Sequence, residues 1–366
     1  VKLPENFRKL GPIQRRSLIL DGLELSDHYR FTDDQYTLSD ALIENSVGWS
    51  MLPLGVVTDF PVNGKLYNLP LVTEEPSVIA AASHAARILG KHGGLKAESS
   101  EGIMRSQIFL EGASLDNWVM AKLALEAAAK EQLTSMSERG GGLVDISSEC
   151  LKETGLILLT FKVDVCDAQG ANLLNTLMES LSPLAESLLG GNKLLAILSN
   201  HSPERLSRAS FRIPLPGESI AHRIVLASRA AQESVDRAVT HNKGIMNGIT
   251  ALVLATGNDT RAAEAGAHAW ACRSGRYMPL SCYKIEGGDL VGEIELPLAL
   301  ATVGGATKAL PDASFARRIS GIETSRELGA VAAALGLAQN YAALLALCTE
   351  GIQKGHMALH KRRVNP

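Results

Sequence analysis

The hydrophobic rhythm is clearest between Ile103 and Asn200. Ile103–Leu110 ends on the apolar run Ile108-Phe109-Leu110 and predicts a strand. Ser114–Glu138 lacks Gly and Pro and is rich in Ala, Leu, Lys and Glu. That composition predicts a helix, ended by Gly140-Gly141-Gly142. A short strand at Leu143–Ser147 follows, then a longer one at Leu156–Val165. A turn at Asp167–Asn172, a helix to about Leu189 and a strand at Leu194–Leu198 complete the order β-α-β-β-α-β. In the ferredoxin-like motif that order lays two helices on one face of an antiparallel sheet.

The flanks read differently. Helices are predicted at Ser77–Leu89, Ile220–Thr240, Gly244–Ala255, Thr260–Ala271 and Glu323–Leu347, with strand-like stretches near Lys65–Val72 and Leu290–Leu296. The class is therefore α+β: a large, mainly helical, discontinuous domain (1–102 and 201–355) interrupted by a smaller ferredoxin-like domain (103–200). Leu328–Thr349 carries no charge and is long enough to span a bilayer. Gln339, Asn340 and Tyr341 in its middle, and Gly329 and Gly336 within it, favour a buried helix instead.

Composition narrows the function. The chain has 366 residues, suiting about two domains. A hydrophobic share of 46% against 20% charged residues excludes a disordered or collagen-like chain. A formal charge of −3 offers no basic footprint for nucleic acid, and 4% aromatics leave few stacking platforms. The five cysteines form no CxxC pair, so neither a zinc ribbon nor a disulfide framework is expected. A reduced, cytoplasmic setting follows. Val1–Arg30 offers no signal-peptide core, and no membrane association is expected.

Common catalytic signatures are missing: no GxGxxG after a strand, no GxxxxGK[ST] and no GxSxG. His356 and His360 share a helical face, but without a zincin glutamate or a third ligand no metal is expected. Five segments stand out instead. Glu74-Glu75-Pro76-Ser77 precedes an apolar run; it is either an ordinary helix start or a place where Glu75 serves as a proton donor. Thr240–Gly248 holds Lys243 among small and apolar residues, where a lysine pairs with an acid or polarises a substrate oxygen. Asp259, in the turn after the next helix, either caps the following helix or hydrogen-bonds Lys243. The turn Asp167–Asn172 contains Gly170 and opens a helix, a setting suited to phosphate. Val303–Thr307 brings a second glycine pair, Gly304-Gly305, which reads equally as close packing.

Together these segments resemble the 3-hydroxy-3-methylglutaryl-coenzyme A reductases of the soluble bacterial class. Glu44-Asn45-Ser46-Val47-Gly48, EEPS (74–77), DAQGAN (167–172), THNKGIMNG (240–248), ATGND (255–259), AGAHAWACRSG (265–275), VGGATK (303–308) and GIQKGHMALH (351–360) occur in family order. The resemblance implies a ferredoxin-like cofactor domain inserted in a larger substrate domain. It also implies reduction of the hydroxymethylglutaryl-CoA thioester to mevalonate and free coenzyme A by two molecules of NADH or NADPH, or the catabolic reverse, without a metal. Carried over by motif, Lys243 stabilises the oxyanion, Asp259 tunes that lysine, Glu75 joins the proton network and His356 protonates the departing thiolate. Ser77 and Arg237 hold the substrate's free carboxylate, and Asn247 orients polar atoms nearby. Asp167, Gln169, Gly170, Asn172, Asn200, Gly304 and Gly305 line the cofactor; Gln169 replaces the family's usual Met. His360 has a structural role.

In this family the site forms between subunits, so a homodimer or multiple of dimers is implied. A helical flap follows the catalytic histidine in that family, and 356–366 would be its start, with the remainder trimmed or disordered. Cofactor preference turns on the helix before the glycine triplet. There Glu131, beside Gln132 and Leu133, favours NADH, whereas Lys130 and Arg139 favour NADPH. The competing readings are a carbon–carbon lyase using Lys243 as a Schiff-base nucleophile on a CoA ester, and a non-catalytic CoA- or nucleotide-binding regulator.

Overall fold

A computed structural model describes residues 3–28, 30–349 and 351. The chain divides into two compact units, Val1–Pro53 and Leu54–Pro366. That boundary falls inside the stretch 1–102 that the sequence pattern treats as one piece.

Among the described residues, the first unit holds a single 3-10 turn and two helices, α1 (Pro12–Leu23) and α2 (Asp33–Leu42). Pro12 opens α1, and the Thr32 hydroxyl accepts from Gln35 N to cap α2. Arg15 is buried and ties this unit together, donating to Asp40 at 2.5 Å and to the Ser46 carbonyl at 3.2 Å.

The second unit begins with an antiparallel hairpin, β1 (Leu54–Val62) and β2 (Lys65–Val72), followed by α3 (Val78–Gly90) and β3 (Lys96–Ser99). Next come β4 (Ile103–Glu111), α4 (Trp118–Gln132), the single turn α5 (Thr134–Ser137), β5 (Gly142–Cys150), β6 (Ile157–Asp164), α6 (Ala171–Leu189) and β7 (Asn192–Ser199). The strands join in the order β5-β6-β4-β7, every pair antiparallel. Burial alternates along β4, so Met104, Ile108 and Leu110 face inward. They meet Ala121, Leu125 and Ala129 of α4 and Leu174, Leu177 and Leu181 of α6 in one hydrophobic core. This is the expected β-α-β-β-α-β order. The predicted long helix is shorter and breaks at Leu133, which is buried where the chain turns into α5.

The remaining elements are β8 (Leu206–Pro214), α7 (Glu218–Glu233), α8 (Val235–Ala255), α9 (Thr260–Ala271), β9 (Ser281–Glu286), β10 (Asp289–Pro297), α10 (Ala306–Ala309), α11 (Pro311–Ser320) and α12 (Ser325–Cys348). A second four-stranded antiparallel sheet runs β3-β8-β10-β9. Its inward residues Phe211, Ile213 and Leu290 join α8 and α12 in a separate, larger core. α12 is apolar and long enough to cross a membrane, yet 78% of its most apolar window is buried inside the protein. It is the central helix of that core.

Two expected boundaries move. The sequence suggests a break just before Gly244, but α8 runs unbroken through it. The interruption is at Ser234, whose backbone is extended and whose hydroxyl accepts from Arg237 N to start α8. α9 begins and ends where the pattern places it, because Asp259 caps it.

Candidate active site

Lys243 lies mid-way along α8, on the helix face opposite the buried residues Ile245, Ile249 and Leu252. Its ammonium donates to Glu75 Oε2 at 2.8 Å, with side-chain exposures of 60% and 34%. The cation is thus anchored but open to a ligand. Glu75 belongs to the segment that enters α3, and its amide donates to Thr73 Oγ1 at 3.1 Å. Two residues on, Ser77 is held at φ 76°, a left-handed conformation costly for a residue with a side chain. The helix therefore starts at Val78, and Pro76 does not occupy its first position.

Asn247 is one turn beyond Lys243 on the same face. Arg237 is in the first turn of α8 and half-buried, and burial lowers its pKa. No side chain among the described residues pairs with its guanidinium. A partly desolvated cation without a counterion is primed for an anionic ligand.

Asp259 does not meet Lys243. Its carboxylate accepts from Arg261 N at 3.0 Å and Ala262 N at 3.1 Å, an N-cap, with the Arg261 guanidinium at 3.4 Å. The physical reason is helix rise: Lys243 to Ala255 spans about 18 Å of α8, so a turn after its end is out of reach. The carboxylate that the lysine finds is Glu75, remote in sequence.

A second set of predicted residues gathers elsewhere. Gly170 is at φ 82°, and a Cβ there would stand 2.6 Å from Val165 Cγ1. No side chain caps α6 after it, so the first-turn amides of a 19-residue helix remain for an acceptor. This cradle, closed to any side chain but open at a helix N-terminus, fits a dinucleotide's phosphates. Gln169 is half-buried in the turn, and Asn172 is exposed in the first turn of α6. Asp167 is committed internally: its Oδ1 accepts from Ser325 N at 2.7 Å and its carbonyl from Thr302 N at 3.0 Å. The loop carrying Gly304 and Gly305 thereby joins the Asp167 turn. Both glycines have positive φ and no atom within 4 Å of a Cβ position, so conformation rather than close packing requires them. Asn258 fastens the same loop, donating to Ala301 O at 3.1 Å and accepting from Ala301 N at 2.7 Å. Asn200 is exposed, just after β7.

Of the residues weighed for cofactor preference, Leu133 is core, leaving exposed Lys130, Glu131 and Gln132. Arg139 is occupied with Ser135 O at 3.0 Å. His356 and His360 lie outside the described residues. Among the described residues, no three His, Cys, Asp or Glu side chains are grouped to hold a metal.

Sequence reasoning missed two buried groups. His241, on the buried face of α8, is 1% exposed, with Nε2 2.7 Å from Ser281 Oγ, which donates to Asn340 Oδ1 at 3.0 Å. Tyr283 donates to the same oxygen at 2.8 Å. Arg205 is 3% exposed between the Asp167 turn and the loop after β10. Its only sequence signal is a charge directly before a strand.

Comparison with known proteins agrees with this geometry. Residues 12–361 match the sequence model of the family described as hydroxymethylglutaryl-coenzyme A reductase. A 3-hydroxy-3-methylglutaryl-coenzyme A reductase of Archaeoglobus fulgidus is 44% identical, over 89% of this chain and 77% of its own length. A probable one from Borreliella burgdorferi is 38% identical, over 100% and 87%. The class II enzyme from Streptococcus pneumoniae, solved bound to NADPH in open conformations, superposes with a TM-score of 0.83 at 39% identity, covering 94% of this chain and 99% of that one. With its motifs in family order and its sheets arranged as in a class II structure, this chain belongs to the hydroxymethylglutaryl-coenzyme A reductase family.

Proposed function

We propose that this chain reduces hydroxymethylglutaryl-CoA to mevalonate and free coenzyme A with NADH or NADPH, and that the same groups serve the reverse, catabolic direction. The observation that carries the reading is the Lys243 ammonium, fixed at 2.8 Å by Glu75 yet 60% exposed. A positioned cation of that kind stabilises negative charge as it develops on a thioester or aldehyde oxygen. Glu75, in contact with it, is placed to relay a proton. Arg237 holds the substrate's free carboxylate with Ser77 beside the lysine's partner, and Asn247 orients the reacting carbonyl. His356 protonates the departing thiolate, a role that rests on the motif GIQKGHMALH.

NAD(P)H, when bound, supplies the reducing equivalents. Gly170 and the first amides of α6 receive its phosphates, with Asp167 and Gln169 shaping the turn, Asn172 and Asn200 at its edge, and Gly304 and Gly305 opposite. From Leu54 on, the division into a discontinuous large domain (to 102, then 201–355) and an insert (103–200) is supported by the two separate hydrophobic cores of the second unit. A homodimer with shared sites accounts for the separation along α8 between Lys243 and the Asp259 turn. Asp259 then acts on the lysine across the protomer boundary. Five free cysteines favour a cytoplasmic setting. The Schiff-base lyase fits less well, since an ion-paired lysine is a polarising cation rather than a nucleophile.

The test is nicotinamide absorbance with hydroxymethylglutaryl-CoA and either cofactor. Substrate-dependent oxidation that falls by about 10²-fold or more in Lys243→Ala is expected. Absence of turnover by the unaltered protein with both cofactors, in both directions, would overturn the proposal.

A further inference from the structure

Glu204 and Arg205 are neighbours in the turn between β7 and β8, where the chain leaves the inserted sheet, and they grip different parts of the protein. Glu204 takes hydrogen bonds from Arg105 of β4 at 2.6 and 2.9 Å, and its carboxylate is 3.0 Å from Lys162 of β6. Arg205 turns the other way. One guanidinium nitrogen donates to Ala168 O at 3.1 Å, in the turn between β6 and α6; the other donates to Leu300 O, in the loop after β10. The Arg205 carbonyl accepts from Leu298 N at 3.1 Å, fixing the start of that loop as well.

Among the described residues no carboxylate hydrogen-bonds this guanidinium; Asp164 and Asp167 act on it only through space. Burial pulls its pKa down to about 10, so it remains a cation at neutral pH. A buried cation bonded to carbonyls is an expensive way to fill space, and an apolar side chain would pack there at less cost. What the arginine supplies is a rigid fork with two donors at fixed separation. Its two acceptors belong to the two glycine-bearing loops described above, Ala168–Gly170 and Leu300–Gly305.

We propose that Arg205 is a positioning residue for the nicotinamide cofactor: its guanidinium sets the spacing between the Ala168–Gly170 turn and the Leu300–Gly305 loop so that both meet one dinucleotide. This rests on the cofactor site assigned above. Arg205 touches neither substrate nor cofactor. It acts through the backbone of residues that do.

Arg205→Lys keeps the charge but reaches one carbonyl at a time. The expected result is a tenfold or greater rise in KM for NADH or NADPH, with KM for hydroxymethylglutaryl-CoA within twofold and kcat within threefold. A purely structural arginine would lower kcat with the folded fraction and leave both KM values alone, and that outcome overturns the proposal. Asn258→Ala releases Ala301 in the same loop without disturbing the buried cation, and should give the same KM split at three- to tenfold. It carries the test if Arg205→Lys does not fold. Gly170→Ala separates the two levels of the argument. If it leaves the cofactor KM unchanged, the assigned site is wrong and the Arg205 role falls with it. If it raises that KM while Arg205→Lys and Asn258→Ala do not, the Arg205 role alone is overturned.

Discussion

Acid should destabilise this protein through His241. The Ser281 hydroxyl spends its proton on Asn340 Oδ1, so toward His241 it accepts, and the imidazole carries its proton on Nε2. Nδ1 is then a bare acceptor, buried and without a partner among the described residues. A second proton must enter there, in a buried site one turn from Arg237. Burial, reinforced by the Arg237 charge, lowers the His241 pKa from 6.5 to about 3. The folded-state value lies below the unfolded one, so the unfolded chain takes up the proton first as pH falls. The stability contributed is complete above about pH 6.5 and declines by up to about 1.4 kcal/mol per pH unit toward pH 3. From pH 6.5 to 5 the loss is about 2 kcal/mol. His241→Gln retains an amide donor toward Ser281 and does not titrate. Urea unfolding at about pH 7 and about pH 5 should show the unaltered protein losing about 2 kcal/mol more than this variant. Equal losses in the two proteins would refute the reasoning.

Glu204→Gln addresses the ion pairs at the exit of the inserted sheet. Burial pushes the Glu204 pKa up, but Arg105 and Lys162 outweigh it and bring it from 4.5 to about 2. Stability from this group is present above pH 4.5 and lost as pH falls toward 2; discounted for solvent screening of these partly exposed pairs, the variant should cost about 1–2 kcal/mol at neutral pH. In urea melts the gap to the unaltered protein should close in acid; a gap constant down to about pH 3 contradicts the linkage. In α12, a Cβ on Gly336 would stand 2.6 Å from Ile249 Cδ1 and 3.0 Å from Ile245 Cγ2 of α8. Gly336→Ala should therefore destabilise by about 1 kcal/mol, overpacking of about 1–3 kcal/mol exceeding the helix-propensity gain. An unchanged or raised melting temperature would show that the two helices can part freely.

The inserted sheet was legible because β4 alternates and α4 lacks Gly and Pro, so local pattern and global fold agree there. The helix α9 was legible through Asp259, a cap whose effect is confined to its own turn. The α7–α8 boundary was not, because Gly244 is a stronger local signal than Ser234. Gly244 costs about 1 kcal/mol in a helix interior, less than the packing of Ile245, Ile249 and Leu252 gives back. β8 was passed over although Ser207, Ala209, Phe211 and Ile213 alternate inward, because its outward positions include Arg208 and Arg212 and two of its inward residues are small.

The site divides along the same line. Arg237 follows only from the resemblance to the reductase family. Lys243 and Gly170 could be named from the residues because each is unusual where it stands: a cation among small residues, a glycine at a helix start. Their partners could not. Asp259, sixteen residues on, looks near to Lys243, but a straight helix converts that short sequence distance into about 18 Å. Glu75 is remote in sequence and lies 2.8 Å away. Arg205 is harder still, for its acceptors are the carbonyls of Ala168 and Leu300, groups that every residue possesses. A side chain that pairs with another side chain leaves two marks in a sequence, one that pairs with backbone leaves a single charge, and so the buried arginine that joins the two glycine loops becomes visible only when the chain is folded.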